Sequence, residues 1–224
     1  QSTPITTITA AVEPSAGGDQ QVDNDGGGTV GPITAGGDTN DNTPTLGGTA
    51  GPGSVVTIRD GDTVLGSVTV GSNGSWQFTS PTLNDGAHSL TTTVTDPAGN
   101  VSDPSRPIDF TVDTGVPAAA TGLTVTDDVN GTQVLTPVAE TDDNPPTLAG
   151  QAEPGTVVSL YVNNTLLGTV PVGADGSWSF TTAALSNGNH SLMVTVTDGA
   201  GNVSDPTPAF DLTVDARLPP GLSS

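Results

Sequence analysis

The chain has 224 residues and a formal net charge of −21, because three Lys and Arg residues stand against 24 Asp and Glu residues. Nucleic acids and anionic membranes bind proteins mainly through Lys and Arg, so this charge argues against both as partners. The lack of cysteine excludes disulfides, thiolate zinc sites and thiol catalysis, while 30 Gly and 19 Pro favour short strands joined by tight turns.

The sequence repeats itself. Trp76 returns as Trp178, and the same offset of 102 positions carries His88 to His190 without a gap. A repeat of about a hundred residues has the length of one β-sandwich domain. We therefore predict two domains, residues 1–114 and residues 115–224. The first copy is longer near its start, over residues 13–28, which predicts an expanded loop there.

In chain order, the second copy shows segments of alternating polarity separated by turn residues. They predict seven strands, and the first copy repeats them: residues 123–126, 147–152, 157–162, 166–172, 177–181, 190–197 and 210–214. Asp60-Gly61 and Asn163-Asn164 tolerate positive φ, so each pair is expected to turn the hairpin between the third and fourth strands. The predicted fold class is all-β, with two tandem β-sandwich domains of about seven strands each.

The aromatic and imidazole side chains recur in both copies. Trp76 and Trp178 each stand two residues before a Phe, which places both aromatic rings on one sheet face and favours the core over the alternative role of stacking on a sugar. His88 and His190 follow frames such as Leu83-Asn84-Asp85-Gly86-Ala87. These frames resemble the corner before the sixth strand of immunoglobulin-like sandwiches, where a Tyr bonds back to the backbone. We expect a structural corner here instead of a metal ligand or a catalytic base.

Acidic residues are concentrated in turns. Oxygen ligands with Gly for sharp turns describe a calcium site better than a transition-metal site. Two carboxylates ~4 Å apart repel by about 1 kcal/mol in water, so their clustering favours a bound cation. The alternative is that Asp and Asn form turns and keep the protein soluble. The calcium candidates are Asp23, Asp25, Asp38, Asp41, Asp113, Asp127, Asp128, Asp142, Asp143 and Asp198.

Sandwich topology groups these turns into two poles. Alternate loops share a pole with the end of the last strand. The junction is then expected to bring Asp38, Asp41, Asp85 and Asp113 of the first copy to face Glu153, Asp175 and Asp198 of the second. A calcium ion at this junction would fix the interdomain angle and produce an elongated rod.

Three strings recur in both copies and carry a family resemblance. They are Asn42-Thr43-Pro44-Thr45-Leu46, Gly74-Ser75-Trp76 and Asp96-Pro97-Ala98-Gly99-Asn100. With their counterparts they resemble the bacterial immunoglobulin-like repeats of giant adhesins, the biofilm-associated, type I secreted (RTX) proteins of Gram-negative bacteria. The resemblance implies a spacer module with an immunoglobulin-like fold, often with calcium at the linkers. The family's junction ligands are best matched by Asp113, Asp127, Asp128, Asp142 and Asp143.

The leading functional hypothesis is a non-enzymatic, calcium-stiffened extender of a cell-surface adhesin that supports biofilm formation. We expect an extracellular monomer whose partners are neighbouring repeats of the same polypeptide, with any host ligand bound elsewhere in the full-length protein. No Ser stands in a catalytic frame, and no apolar stretch approaches the ~20 residues of a membrane span. No signal peptide opens the chain, which suggests an excerpt of a longer protein. The alternatives are a module that binds a carbohydrate or host protein, and an accessory module of a secreted polysaccharide-active enzyme.

Overall fold

The computed structural model describes residues 18–24, 31–33, 36–129 and 132–215, which form strands and no helix. The chain divides into two compact units between Thr114 and Gly115, here named domain one and domain two. Domain one contains β1 (Gly18–Asn24), β2 (Gly31–Pro32), β3 (Asp38–Thr39), β4 (Thr45–Thr49), β5 (Val55–Asp60), β6 (Thr63–Thr69), β7 (Ser75–Thr79), β8 (Gly86–Thr95) and β9 (Ile108–Val112). Domain two contains β10 (Thr121–Asp127), β11 (Gln133–Val134), β12 (Ala139–Thr141), β13 (Thr147–Gln151), β14 (Val157–Val162), β15 (Thr165–Pro171), β16 (Ser177–Thr181), β17 (Gly188–Thr197) and β18 (Phe210–Val214). Nowhere in the described residues is there a helix long and apolar enough to cross a membrane.

Each domain has one four-stranded and one five-stranded sheet. In domain one the strand orders are β2-β1-β4-β7 and β3-β9-β8-β5-β6. Domain two repeats them as β11-β10-β13-β16 and β12-β18-β17-β14-β15. The all-β, tandem-domain fold class is therefore confirmed, and each domain has its own hydrophobic core cluster.

The predicted strands of domain two agree with the observed ones to within one or two residues at their ends. The sequence missed β11 and β12, because segments of two or three residues show no polarity period. The expanded loop predicted over residues 13–28 is wrong for residues 18–24, which form β1, and the remaining residues of that segment lie outside the described residues. β12 pairs in parallel with β18, which places it in the sheet opposite to β10. Asn163 and Asn164 turn the hairpin with φ of 49° and 63°, as expected. In domain one the turn is Gly61-Asp62, one residue later than predicted, since Asp60 still pairs with Thr63.

The two tryptophans fill the cores. Trp76 and Trp178 are each only 4% exposed, which confirms the core prediction and leaves no ring face for a sugar. Trp76 pairs with Gly48 on the neighbouring strand. A Cβ at Gly48 would lie 3.0 Å from the indole, so the missing side chain makes room for the ring. The Gly150–Trp178 pair repeats this arrangement in domain two.

A second close approach of this kind predicts the outcome of one substitution. A Cβ at Gly66 would stand 2.6 Å from the Phe78 ring, so Gly66→Ala must displace that ring. We expect it to lower the free energy of unfolding of domain one by about 1–3 kcal/mol in urea denaturation. Gly47→Ala is the control, because its new Cβ would meet its nearest atoms at 3.6 Å. Equal stability of the two variants would contradict this packing.

Candidate functional site

The most acidic part of each domain is the end at which its last strand finishes, here named the exit pole. In domain two, β12 and β18 run in parallel to this pole, and the Asp215 N–H donates to the Thr141 carbonyl at 2.9 Å. β10 starts beside the end of β13, at Gln151, and reaches the exit pole at Asp127. The exit pole therefore gathers the turn after β10, the end of β12 and the end of β18.

A hydrogen-bonded group of three carboxylates forms around Thr141 at this pole. The Thr141 hydroxyl donates to Asp127 Oδ2 at 2.7 Å and accepts the Asp143 N–H at 3.0 Å. The Asp128 N–H donates to Asp143 Oδ2 at 3.2 Å. Asp143 itself is only 4% exposed. We name Asp127, Asp128, Thr141 and Asp143 the acidic cluster of domain two.

The acidic cluster holds Asp143 in an unfavourable environment for a negative charge. Burial raises the pKa of the Asp143 carboxyl, and the negative charges of Asp128 and Asp127 raise it further, although the Asp128 N–H acts in the opposite direction. A divalent cation would offset both the burial and the repulsion. The side-chain atoms of the cluster that could bind a metal are all oxygens. Calcium prefers oxygen ligands, whereas soft metal ions prefer sulfur.

The chemistry of this cluster thus fits calcium, but its side chains are not arranged as a complete metal site. In the part of the chain that the structure describes, no three His, Cys, Asp or Glu side chains are grouped so that they could hold a metal ion. Asp127 Oδ1 instead forms a hydrogen bond within the turn, where it accepts the Val129 N–H at 2.9 Å. The next two residues of this turn, 130–131, lie outside the described residues.

Domain one carries a related but different exit pole. Asp41, the counterpart of Asp143, is 3% exposed, and its Oδ1 accepts the Thr43 N–H at 2.9 Å. The strand registers align Val22 with Val125, because these residues pair with Leu46 and Leu148 respectively. Asn24 therefore stands where domain two has Asp127.

The other predicted ligands of domain one are spread around its exit pole. Asp38 opens β3 and is exposed, and the Asp113 N–H donates to the Thr39 carbonyl at 2.9 Å. Asp23 pairs with Thr45 within β1, and Asp25 lies outside the described residues. In domain two, Asp142 is exposed beside the acidic cluster.

Asp198 lies at the opposite pole of domain two, where β17 ends. Its Oδ1 accepts the Asn202 N–H and its Oδ2 accepts the Asn202 side-chain amide, both at 2.8 Å. Asp96 closes the same turn in domain one, and its bonds from the Asn100 side chain and backbone lower the pKa of its carboxyl. At these two positions the structure shows the turn-forming role of aspartate.

Both histidines fix a corner, as the sequence predicted. His88 Nε2 bonds to the Asn84 carbonyl at 2.8 Å, and His190 Nε2 bonds to the Ser186 carbonyl at 2.7 Å. Each imidazole thus reaches back four residues to the loop that precedes its strand. This is the role expected of a residue near the start of the sixth predicted strand, and each histidine is the third residue of its strand, β8 or β17.

The family model of the bacterial Ig-like domain matches residues 7–114 and residues 136–216. The chain belongs to the bacterial Ig-like domain family. The match covers most of each domain, so both are bacterial Ig-like domains in tandem.

Three comparisons describe similar proteins. The chain is 29% identical over 184 residues to Bacillopeptidase F of Bacillus subtilis (strain 168), which is 82% of this chain and 12% of that protein. It is similar to fibronectin(III)-like modules of Clostridium thermocellum CbhA at 19% identity and a TM-score of 0.50, covering 85% of this chain and 96% of that one. A tetra-tandem repeat from the extending region of a large adhesion protein matches at 24% identity and a TM-score of 0.30, over 92% of this chain and 58% of that one.

The sequence alone did not identify Thr39 and Thr141 as structural partners of the buried aspartates. Thr39 and Thr141 are almost completely buried, and each accepts the N–H of the buried aspartate two residues later. The recurrence of Thr-x-Asp at both positions, Thr39-Asn40-Asp41 and Thr141-Asp142-Asp143, was the signal that could have found them.

Proposed function

We propose that these two bacterial Ig-like domains are spacer repeats of a large extracellular adhesin, stiffened by calcium at the ends of the domains. The observation that carries the proposal is the repetition itself: two sandwiches with the same strand order and similar cores follow each other in one chain. Such modules lengthen a polypeptide without contributing a catalytic or ligand-binding site. In this role the protein supports cell adhesion and biofilm formation from the cell surface.

Calcium is the finer part of the proposal, and the acidic cluster of domain two supports it. Burial raises the pKa of the Asp143 carboxyl, and the two carboxylates beside it raise that pKa further. A calcium ion would replace that repulsion by attraction and draw the Asp127 carboxylate away from its bonds to the Val129 N–H and the Thr141 hydroxyl. Thr141 would remain beside Asp143 as the residue that orients it.

Removal of calcium tests this function. We expect EDTA to lower the free energy of unfolding by about 2.7 kcal/mol relative to a calcium concentration about one hundred times the dissociation constant. The melting temperature of the affected domain should then fall by about 10 °C or more in calorimetry. The chain passes from domain one to domain two after Thr114, at the exit pole of domain one. If Asp38, Asp41 or Asp113 binds calcium there, small-angle scattering of the same samples should show a wider distribution of interdomain distances in EDTA. Identical melting and identical scattering in calcium and EDTA would contradict stiffening by calcium, and magnesium at equal concentration is the control for ionic strength.

A second candidate is an accessory module of a secreted enzyme. The likeness to Bacillopeptidase F favours it, since 82% of this chain matches a segment of a protein named as a peptidase. The sequence that flanks this chain in its parent protein discriminates between the two. Many further copies of the repeat would support a spacer, whereas a catalytic domain next to a single pair would support an accessory module. A direct sugar-binding role is disfavoured because both tryptophans are buried.

A further inference from the structure

The two domains differ in the charge that stands next to their corner histidine. In domain one, His88 Nδ1 lies 2.7 Å from Asp60 Oδ2, and its Nε2 lies 2.8 Å from the Asn84 carbonyl. Both ring nitrogens therefore face acceptors, and only the protonated imidazole can donate to both. The doubly donating form joins β5 to the loop before β8.

In domain two an amide takes the place of this carboxylate. Asn163 lies in the turn after β14, and its Oδ1 accepts the Ser191 N–H at 2.9 Å. Asp60 accepts the Ser89 N–H at 3.0 Å in the same way. The Asn163 side-chain nitrogen lies 3.4 Å from His190 Nδ1. An amide donor facing Nδ1 fits the neutral imidazole, so the corner of domain two requires no second proton.

The corner of domain one also holds the last residue of that domain. Asp85, the residue after Asn84, accepts both the N–H and the hydroxyl of Thr114 through its Oδ1, at 3.0 Å and 2.9 Å. Thr114 ends domain one. One loop therefore connects the His88 imidazole to the point where the chain leaves the domain.

We propose that His88 and Asp60 form a proton-dependent clasp that holds the loop before β8 and, through Asp85, the exit residue Thr114. Domain two lacks the carboxylate at this place, so the clasp is specific to domain one. The strength with which Asp85 binds Thr114 therefore depends on pH near neutrality, and this dependence does not require calcium.

The charged groups around the imidazole support this assignment. The cleft of about 450 Å³ beside His88 has Asp60 and Asp109 as its other titratable lining residues. Asp109 accepts the Ser89 hydroxyl at 2.6 Å, on the strand face opposite to His88. Arg59 lies on the opposite face of β5 from Asp60 and donates to the Asp62 carbonyl. Phe110 packs on the imidazole with a centroid distance of 5.8 Å.

The direction of the pH effect follows from the pKa of His88. Partial burial alone would lower this pKa, but the bonds to the Asn84 carbonyl and to Asp60, together with the Asp60 charge, raise it above 6.5. The stabilisation is therefore fully present below the unfolded-state pKa and is lost as the pH rises through the folded-state pKa. Alkaline conditions weaken the clasp.

Hydrogen exchange of the full two-domain chain tests the clasp, with EDTA in all samples so that the result does not depend on calcium. Between about pH 5.5 and about pH 8.5, we expect the protection factors of the Ser89 and Thr114 amides, corrected for intrinsic exchange, to fall. Asp60→Asn keeps the acceptor for the Ser89 N–H and should abolish this pH dependence at both amides. The reciprocal Asn163→Asp should create a pH dependence at the Ser191 amide of domain two.

An NMR titration of the wild-type imidazole provides a second measurement that needs no variant. We expect the His88 midpoint to lie above 6.5, and Asp60→Asn to lower it. Protection that does not change with pH in the wild type, or that changes equally in Asp60→Asn, would overturn the clasp. A response at Ser89 without one at Thr114 would overturn its connection to the exit of the domain.

Discussion

Asp143→Asn should stabilise domain two in EDTA and destabilise it, relative to the wild type, in calcium. Without the ion, the substitution removes a buried carboxylate that Asp127 and Asp128 repel, which we expect to add about 1 kcal/mol to the free energy of unfolding. The Asn side-chain oxygen can still accept the Asp128 N–H. With calcium about one hundred times above its dissociation constant, the variant should forfeit most of the ~2.7 kcal/mol that the wild type gains.

Calorimetry of the full chain measures the size of both effects, and hydrogen exchange of the β17 amides assigns them to domain two. Asp205→Asn is the matched control, because it removes one charge from an exposed residue at the opposite pole. A loss of stability in both conditions would show that Asp143 has a structural role only. A gain in both would show that calcium does not bind at the acidic cluster.

The pH dependence of the wild type provides an independent check on Asp143. Because its folded-state pKa is raised above the ordinary value of 3.8, the cost of its charge is fully present above the folded-state pKa and disappears as the pH falls below the unfolded-state value. In EDTA, acidification from neutral pH should therefore remove a destabilising contribution from domain two, and Asp143→Asn should eliminate that contribution in a pH series of unfolding measurements. The same slope in wild type and variant would contradict this.

Trp178→Ala is expected to have the largest effect of any substitution considered, lowering the free energy of unfolding of domain two by about 3–5 kcal/mol. The side chain belongs to a core cluster that includes Leu148 and Val194. Trp178→Phe should cost far less. The buried indole N–H has no hydrogen-bond partner in the described part of the chain, so its removal relieves an unsatisfied donor.

Urea denaturation of the two variants measures this difference, and a glycan array run on the same samples separates a core role from a binding role. Similar losses in Trp178→Ala and Trp178→Phe would contradict the unsatisfied donor. A stable Trp178→Ala variant that loses specific sugar binding would contradict the core role altogether.

The sequence predicted the main strands because apolar residues recur at every second position, as Leu192, Val194 and Val196 do. It could not predict β12, which is three residues long and crosses to the opposite sheet. That crossing decides which carboxylates meet, since it brings Asp143 to the end of β10, where Asp127 and Asp128 lie. The sequence identified these aspartates as candidates, and sandwich topology already assigned Asp198 to the other pole. Only the structure shows that Asp127, Asp128 and Asp143 meet around Thr141.

The repeat pattern also did not predict the difference between the two histidine corners. The offset of 102 positions aligns Asp60 with Val162, not with Asn163. The two side chains nevertheless reach the same place, because Asp60 projects from the end of a strand and Asn163 from the following turn. An alignment of the copies therefore hides the exchange of a carboxylate for an amide beside the imidazole.

Anomalous diffraction from crystals in calcium tests the central claim most directly. At about 10 mM calcium, above the dissociation constants typical of extracellular modules, we predict a peak about 2.3–2.6 Å from carboxylate oxygens of Asp127, Asp128 and Asp143. The Asp127 bond to the Thr141 hydroxyl should then be broken or lengthened. No peak at this pole, with Asp127 still bonded to Thr141, would contradict a calcium-stiffened spacer.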